Sequence, residues 1–576
     1  MPLARPLPGH HPVLGAVLAS RGFTETTAQE LVSGPGDHHD PLGLAGMCDA
    51  VIAVGVAVHA GRRIAVYGDY DADGVTACAM LTTALRAAGA DVVPYIPNRM
   101  TEGYGLHAPA LQELAARGVQ LVITVDCGTS SVDVAATRPD GLSLVITDHH
   151  LAPAPGGGPV RLPDVDALVN PKRPDCGYAF DALAGAGVAW KLLEALEAEG
   201  IVPPGSAEGS MALGALGTVA DMMPLKGENR MLVRRGLEQM GGTPSPGLAA
   251  LMEVCGIRGV PRASDLAFAM APRINAAGRM EDAELALRLC LAPTLDDARP
   301  LAARLDAQNR ERKAAVARAL AEAEQRVADL PDDVPAIVLG DPGWPMGIVG
   351  LVAGRLAERF SRPAFVACLD GEEGKGSARS VHGVHLVHAL DSASAPLLRY
   401  GGHAAAAGFS VVPSRFEEFA ELVSEAVRGQ LGDAAREKVY RVDAVIEPHE
   451  VRIALCETLS ALEPCGQGNR DPLLAMSNVR VLSTSTFGAD RQHIRVWLGD
   501  ADGGSPVEAI AFNKPGLAGH LPVGRRIDAC FALELDTWDG EQRLRLLLRD
   551  LQPHRAATAP VSALAAPPPV ELAAAV

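Results

Sequence analysis

Three short apolar runs constrain this chain more than any other feature, because each is β-type and each ends in an acid. Ile64-Ala65-Val66-Tyr67 leads into Gly68-Asp69-Tyr70-Asp71-Ala72-Asp73-Gly74, Leu121 to Val125 leads into Asp126-Cys127-Gly128, and Leu142 to Thr147 leads into Asp148-His149-His150. Such runs read as buried strands, and between them lie Ala- and Leu-rich helical stretches such as Ala77 to Ala88 and Ala108 to Arg117. Strand and helix in alternation predict a parallel sheet covered on both faces. In such sheets sites form where the carboxyl ends of strands meet.

The acids are the second constraint. Asp69, Asp71 and Asp73 alternate directly after a strand, which aims three carboxylates at one region. Desolvated like charges at a few ångströms repel, and a divalent cation is the simplest resolution. Leu216-Gly217-Thr218-Val219-Ala220 leading to Asp221 reads as a fourth segment of the same kind. Five Asp with one or two His make the inventory of a two-metal site. Taken singly the pieces are weaker: an Asp-Gly after a strand is usually a turn, Asp126 is a cap about as often as a ligand, and a His pair is more often solvated. The conjunction carries the reading.

In this order, Asp69-Tyr70-Asp71-Ala72-Asp73-Gly74, Val125-Asp126-Cys127-Gly128, Asp148-His149-His150 and Thr218-Val219-Ala220-Asp221 resemble the four motifs of the DHH phosphoesterase superfamily. Pro272-Arg273-Ile274-Asn275-Ala276-Ala277-Gly278-Arg279, Gly376-Ser377-Ala378-Arg379-Ser380 and Gly401-Gly402-His403 through Phe409 resemble its RecJ branch and DHHA1 module. The resemblance implies an α/β chain in which DHH and DHHA1 domains, joined by a long helix, surround a central cleft, with a C-terminal OB-fold barrel. The expected division is an N-terminal extension over 1–60, the catalytic domain over 61–293, a connecting helix over 294–330, DHHA1 over 331–436, the single-strand-binding barrel over 437–552 and a disordered tail over 553–576.

The function implied is a single-stranded-DNA-specific exonuclease working 5′ to 3′ by two-metal hydrolysis, releasing 5′-mononucleotides in DNA repair and recombination. Its cofactors would be two divalent ions, Mn2+ or Mg2+, one held by Asp69, Asp71 and Asp126, the other by Asp73, Asp126, His149 and Asp221. His150 would touch the scissile phosphate or help move a proton to the leaving oxygen, and Asp148 would orient it or its neighbour. By the same resemblance Arg99, Tyr104, Arg273, Asn275, Ser377, Arg379, Gly401, Gly402 and His403 are candidates for substrate binding. Arg99, Arg273, Ser377, Arg379 and His403 would grip the 5′-terminal phosphate, although Arg99 could instead pair with Glu102. Two departures stand out. Tyr67 occupies the place where related pyrophosphatases carry His, so Asp69 takes that role, and Trp344-Pro345 stands where the branch usually has Trp-His. The rival readings are a DHH-type phosphodiesterase acting on short oligoribonucleotides or cyclic dinucleotides, and a non-catalytic replication scaffold of the same fold.

Composition sets the remaining limits. At 576 residues the chain exceeds one core, and 10 Cys without a C-x-x-C pair read as thiols in a reducing compartment. Neither a signal peptide nor a membrane span is evident, so a cytoplasmic protein is expected. The resemblance implies a monomer, with single-stranded DNA, a single-strand-binding protein and a helicase as partners. The net charge of −18 excludes binding DNA by bulk charge and requires local positive potential. Thr294 caps a pattern that stays helical to about Asp329, with Pro300 expected to kink or break it. From Val439 to Leu551 five alternating runs predict the barrel, on which Phe487, Trp497, Phe512, Phe531 and Trp538 are candidates for base stacking.

Overall fold

A computed structural model of the chain describes residues 5–34, 36–99, 101–154, 158–280, 283–331, 333–431, 440–488, 490–500, 506–536 and 543–554. Trp538 and the expected tail from Arg555 lie outside these residues. The chain divides into two compact units, one holding the described residues of 39–223 and 232–437, the other those of 1–38, 224–231 and 438–569.

The larger unit begins with a five-stranded parallel sheet of β1 (Ile64–Tyr67), β2 (Val92–Tyr95), β3 (Leu121–Val125), β4 (Ser143–Thr147) and β5 (Ala167–Val169), in the order β2-β1-β3-β4-β5. Every residue of β1 and β3 is buried, as a sheet covered on both faces requires. The strand order reverses between β1 and β3, and the acid loops after Tyr67 and Val125 open at that switch point, where open α/β sheets place ligands. The fourth acid segment departs from its expected form. Leu216 to Ala220 belongs to the helix Met211–Ala220, and Asp221 is its C-terminal cap. Gly217 lets the run pack closely on the helix Ala72–Ala87, a would-be Cβ there lying 2.5 Å from Thr76 Oγ1, whereas an apolar tally reads the run equally well as a strand.

The connecting helix Leu295–Ala328 runs for 34 residues, roughly 50 Å at 1.5 Å per residue. Thr294 Oγ1 accepts from Asp297 N at 3.2 Å to start it. Pro300 does not break it. The residue lies in the second turn, where its missing N–H frees only the carbonyl of Asp296, and both residues face solvent. Its later turns bury Ala315, Val316, Ala319, Ala323 and Val327 against the helix Val349–Phe360, which covers a second sheet. That sheet runs β6-β7-β8-β10-β9 over β6 (Ile337–Asp341), β7 (Ala364–Cys368), β8 (Gly374–Arg379), β9 (Leu397–Gly402) and β10 (Ala406–Val411). Trp344, beside the proline that replaces the expected His, is buried and donates from Nε1 to Glu322 Oε2 at 2.8 Å, pinning this domain to the connecting helix.

The smaller unit is a closed barrel. After the short β11 (Ala444–Val445), the strands β12 (Leu474–Phe487), β13 (His493–Gly499), β14 (Val507–Ala511), β15 (Arg526–Asp536) and β16 (Arg543–Pro553) pair in the order β12-β13-β14-β16-β15, and β15 returns to β12. Phe531 lies fully buried in its core, which removes it from the stacking candidates, while Phe512 and Trp497 are 49% and 37% exposed. The helices Pro12–Ser20 and Glu25–Ser33 add Val13, Leu14, Val17, Leu18 and Ala28 to this core, with Arg21 and Asp443 paired at 3.2 Å. The expected extension over 1–60 is thus shared between both units, since the helix Met47–His59 belongs to the sheet of the larger one.

Candidate metal and phosphate site

The loop after β1 folds as a helix start. Asp71 caps the helix Ala72–Ala87, its Oδ1 accepting from Asp73 N at 2.9 Å and Gly74 N at 3.2 Å. Asp73, the second residue of that helix, accepts from Gly185 N at 2.7 Å and Ala186 N at 2.8 Å. Those N–H groups open the helix Gly185–Ala198, and a carboxylate there is favoured by unsatisfied donors and helix dipole together. Close approach explains the glycines. A Cβ on Gly185 would lie 2.6 Å from Asp126 Oδ1, and one on Gly217 would lie 2.6 Å from Asp73 Oδ1.

Three overlapping groups of ligand atoms result, each within 4.8 Å of one another: Asp69, Asp71 and Asp126; Asp73, His149 and Asp221; and Asp126, His149 and His150. His149 Nε2 lies 3.1 Å from Asp126 Oδ1, 3.5 Å from Asp221 Oδ2 and 3.9 Å from Asp73 Oδ2. Among the described residues His149 Nε2, Asp69 Oδ1, Asp126 Oδ1 and Asp221 Oδ2 are buried without any hydrogen-bond partner. Orphaned polar atoms cost about 1–3 kcal/mol each, so their convergence is explained by a ligand rather than by packing. Burial, with the neighbouring carboxylates, pushes Asp69, Asp126 and Asp221 well above the usual carboxylate range and Asp73 up to about 7. Burial lowers His149 to about 3, leaving a neutral imidazole with a lone pair to share. Oxygen donors with one imidazole fit Mn2+ or Mg2+.

His150 is set differently. Its Nδ1 lies 2.8 Å from Asp148 Oδ1 and 3.0 Å from the Tyr104 hydroxyl. Asp148 is held in turn by N–H groups of Thr129, His149 and His150 at 2.8, 2.7 and 3.1 Å. Burial would lower His150, but the bond to Asp148 outweighs it and raises the imidazole above its ordinary value. Across the cleft within the same unit, Arg379 Nη1 donates to Ser377 Oγ at 2.9 Å on β8. A Cβ on Gly350, in the first turn of the helix Val349–Phe360, would meet Ser377 Oγ at 3.0 Å and Arg379 Nη2 at 3.3 Å. A guanidinium, a hydroxyl and a helix N-terminus therefore share one spot, the composition of a phosphate cradle. Burial lowers His403, and His150 is among the groups acting on it, so it faces the catalytic side. Gly401 and Gly402 end β9; φ of 142° at Gly402 and a would-be Cβ 2.5 Å from Ala406 O exclude a side chain there.

Other expected residues are engaged in the scaffold. Arg273 pairs with Asp306 at 2.9 Å and donates to Ala269 O, fastening its helix to the connecting helix. Asn275 Oδ1 accepts from Ala72 N at 2.8 Å, which positions the Asp71–Asp73 turn. Arg99 lies 5.0 Å over the Tyr70 ring and not on Glu102, whose carboxylate takes Tyr95 OH and Asn98 N. Tyr67 is buried, donating to Gly105 O at 2.9 Å and stacked on Tyr95. Sequence reading missed Asn170, whose buried amide donates to His150 O and Thr129 Oγ1, and the Ala184-Gly185-Ala186-Gly187 run that receives Asp73. A run of small residues opening a helix was the only signal for the latter.

The chain matches the model of the DHH family, N-terminal domain, over residues 63–217, of the DHHA1 domain over 333–429 and of the RecJ OB domain over 442–550. It is 34% identical over 545 residues to the single-stranded-DNA-specific exonuclease RecJ of Bacillus subtilis, covering 94% of this chain and 68% of that one. With the protein of the same name from Dickeya dadantii it shares 37% over 536 residues, 88% and 91% of the two chains. Among solved structures it is similar to RecJ of Thermus thermophilus in complex with Mn2+, at TM-score 0.79 and 31% identity over 96% of this chain and 78% of the other, and in complex with Mg2+, at TM-score 0.74.

Proposed function

This chain belongs to the RecJ family of single-stranded-DNA-specific exonucleases, and we propose from that premise that it shortens single strands from the 5′ end, releasing 5′-mononucleotides during DNA repair and recombination. The observation that supports this most is the convergence of Asp69, Asp71, Asp73, Asp126, His149 and Asp221 at the sheet's switch point, in one unit with the Ser377/Arg379 cradle. Two divalent ions, when bound, supply Lewis acidity at phosphorus and lower the pKa of water.

The chain's own groups do the rest. Asp126, which groups with Asp69 and Asp71 and lies 3.1 Å from His149 Nε2, would be shared between the two ligand sets. Cleavage adds water at phosphorus and breaks the bond from phosphorus to O3′, so the departing O3′ requires a proton. His150, whose imidazole the bond to Asp148 raises above its ordinary value, is placed to give that proton. Ser377 and Arg379 grip the terminal 5′-phosphate and set where the chain end stops. The barrel, matched as a RecJ OB domain, favours long single strands over the dinucleotides of the rival phosphodiesterase reading.

End-labelled single-stranded DNA, duplex DNA and RNA, digested with added manganese, test this directly. A 5′ label is expected in the mononucleotide at the earliest times and only from single strands; shortening from the 3′ end would overturn the polarity. Arg379→Ala should weaken use of 5′-phosphorylated ends by roughly ten to a hundredfold and 5′-hydroxyl ends far less, a charge-assisted contact being worth about 1.5–3 kcal/mol.

A further inference from the structure

Lys172 is a cation in an acidic neighbourhood. No hydrogen bond or ion pair among the described residues uses its ammonium, although the side chain is only partly exposed. Its backbone is fixed by the site itself. Asp148 N donates to Val169 O at 3.0 Å across the ends of β4 and β5, and Asn170 follows. The Asn170 amide, 1% exposed, donates to His150 O at 2.8 Å and accepts from Lys172 N at 2.8 Å. One buried amide thus ties the peptide of Lys172 to that of His150.

The surroundings of the ammonium come from both domains of the larger unit. Asp221, Asp181 and Asp148 act on it from the catalytic side, and its own charge acts on His149, His150 and His403, the last of these on the DHHA1 side. Asp221 offers a partly exposed carboxylate nearby, yet no ion pair forms. A lysine held in place at its backbone and left unpaired at its tip, between a cluster suited to cations and a histidine across the cleft, is placed for an anion that enters with the substrate. The Ser377/Arg379 cradle already provides for a terminal phosphate, whereas Lys172 is tied to His150. A compact ammonium also suits a group whose oxygens rearrange during reaction better than a planar fork does.

We propose that Lys172 holds a non-bridging oxygen of the scissile phosphodiester, on the side turned away from the carboxylates. This rests on the exonuclease reading above. No proton is transferred; the ammonium offsets charge that builds on the phosphoryl oxygens as water adds.

The test compares full-length wild type, Lys172→Met and Lys172→Arg. With manganese, Lys172→Met is expected to lose roughly ten to a hundredfold in kcat/KM, equally on 5′-phosphate and 5′-hydroxyl ends, with bound manganese per chain unchanged and part of the loss restored in Lys172→Arg. In chelator, where nothing turns over, the slope of log affinity for single-stranded DNA against log salt should become shallower by about 0.7, the value of one phosphate contact. Undiminished turnover, a loss confined to 5′-phosphorylated ends, a fall in bound manganese or an unchanged salt slope would each overturn the proposal. Failure of the wild type to degrade single-stranded DNA would instead remove the exonuclease reading, while the salt slope still judges the contact.

Discussion

Asp126 adopts φ of 62°, a left-handed conformation that costs a residue with a Cβ on the order of 1–2 kcal/mol. Strain, orphaned oxygen and crowding by other carboxylates coincide at this one residue, and each is relieved or compensated by cations. Asp126→Ala should therefore cost several orders of magnitude in activity while the chelated protein keeps its fold, measured by turnover and circular dichroism together. The two histidines should separate by metal counting. His149→Ala loses an ion, whereas His150→Ala retains both and loses turnover, because Asp148 and Tyr104 rather than the carboxylate cluster hold its Nδ1. At this scale Asp69, Asp71 and Asp73 were legible as candidate ligands but their geometry was not: Asp71 caps a helix and Asp73 lies in its first turn, so a helix start rather than strand alternation spreads the three over two ligand groups. Gly185, Asn170 and Lys172 were not legible, because their meaning lies in what the sheet brings beside them.

Among elements, the buried strands were readable where composition and terminator agreed. The segment ending in Asp221 was not: apolar content is common to a buried strand and a buried helix, and only the small residues at Gly214 and Gly217, packed against Leu232 and Thr76, separate them. The barrel strands were longer than their alternating cores, β12 continuing to Phe487. That extension carries Phe487 to a cluster with His493 and Phe512, their ring centroids 5.0 to 6.4 Å apart, with Arg495 over the Phe487 ring. An exposed Phe512 with the half-buried Phe487 and a guanidinium beside it suits bases without regard to sequence. Phe512→Ala should lower affinity for single-stranded DNA by roughly five to a hundredfold, about 1–3 kcal/mol, with little change in melting temperature, and fluorescence anisotropy with a thermal melt decides it.

For the whole molecule, the carboxyl cluster links stability to pH and metal. Asp69, Asp73, Asp126 and Asp221 titrate above their unfolded values, so without cations the folded chain binds more protons than the unfolded one between about pH 4 and 7. Chelated protein should accordingly lose melting temperature as pH rises through that window, and saturating Mn2+ should reverse the loss at pH 8. A melting temperature indifferent to both would refute the linkage. The connecting helix adds a constraint of another sort. Its ends are gripped separately, near the start by the pairing of Asp306 with Arg273 and near the end by Glu322 on Trp344, so the distance from acid cluster to phosphate cradle is counted in helical residues. Each residue inserted between these grips advances the far domain by about 1.5 Å and turns it by about 100°. The stretch between Asp306 and Glu322 is thus a ruler whose graduations are also a phase, and editing it would shift and rotate the acid cluster against Ser377 and Arg379 together.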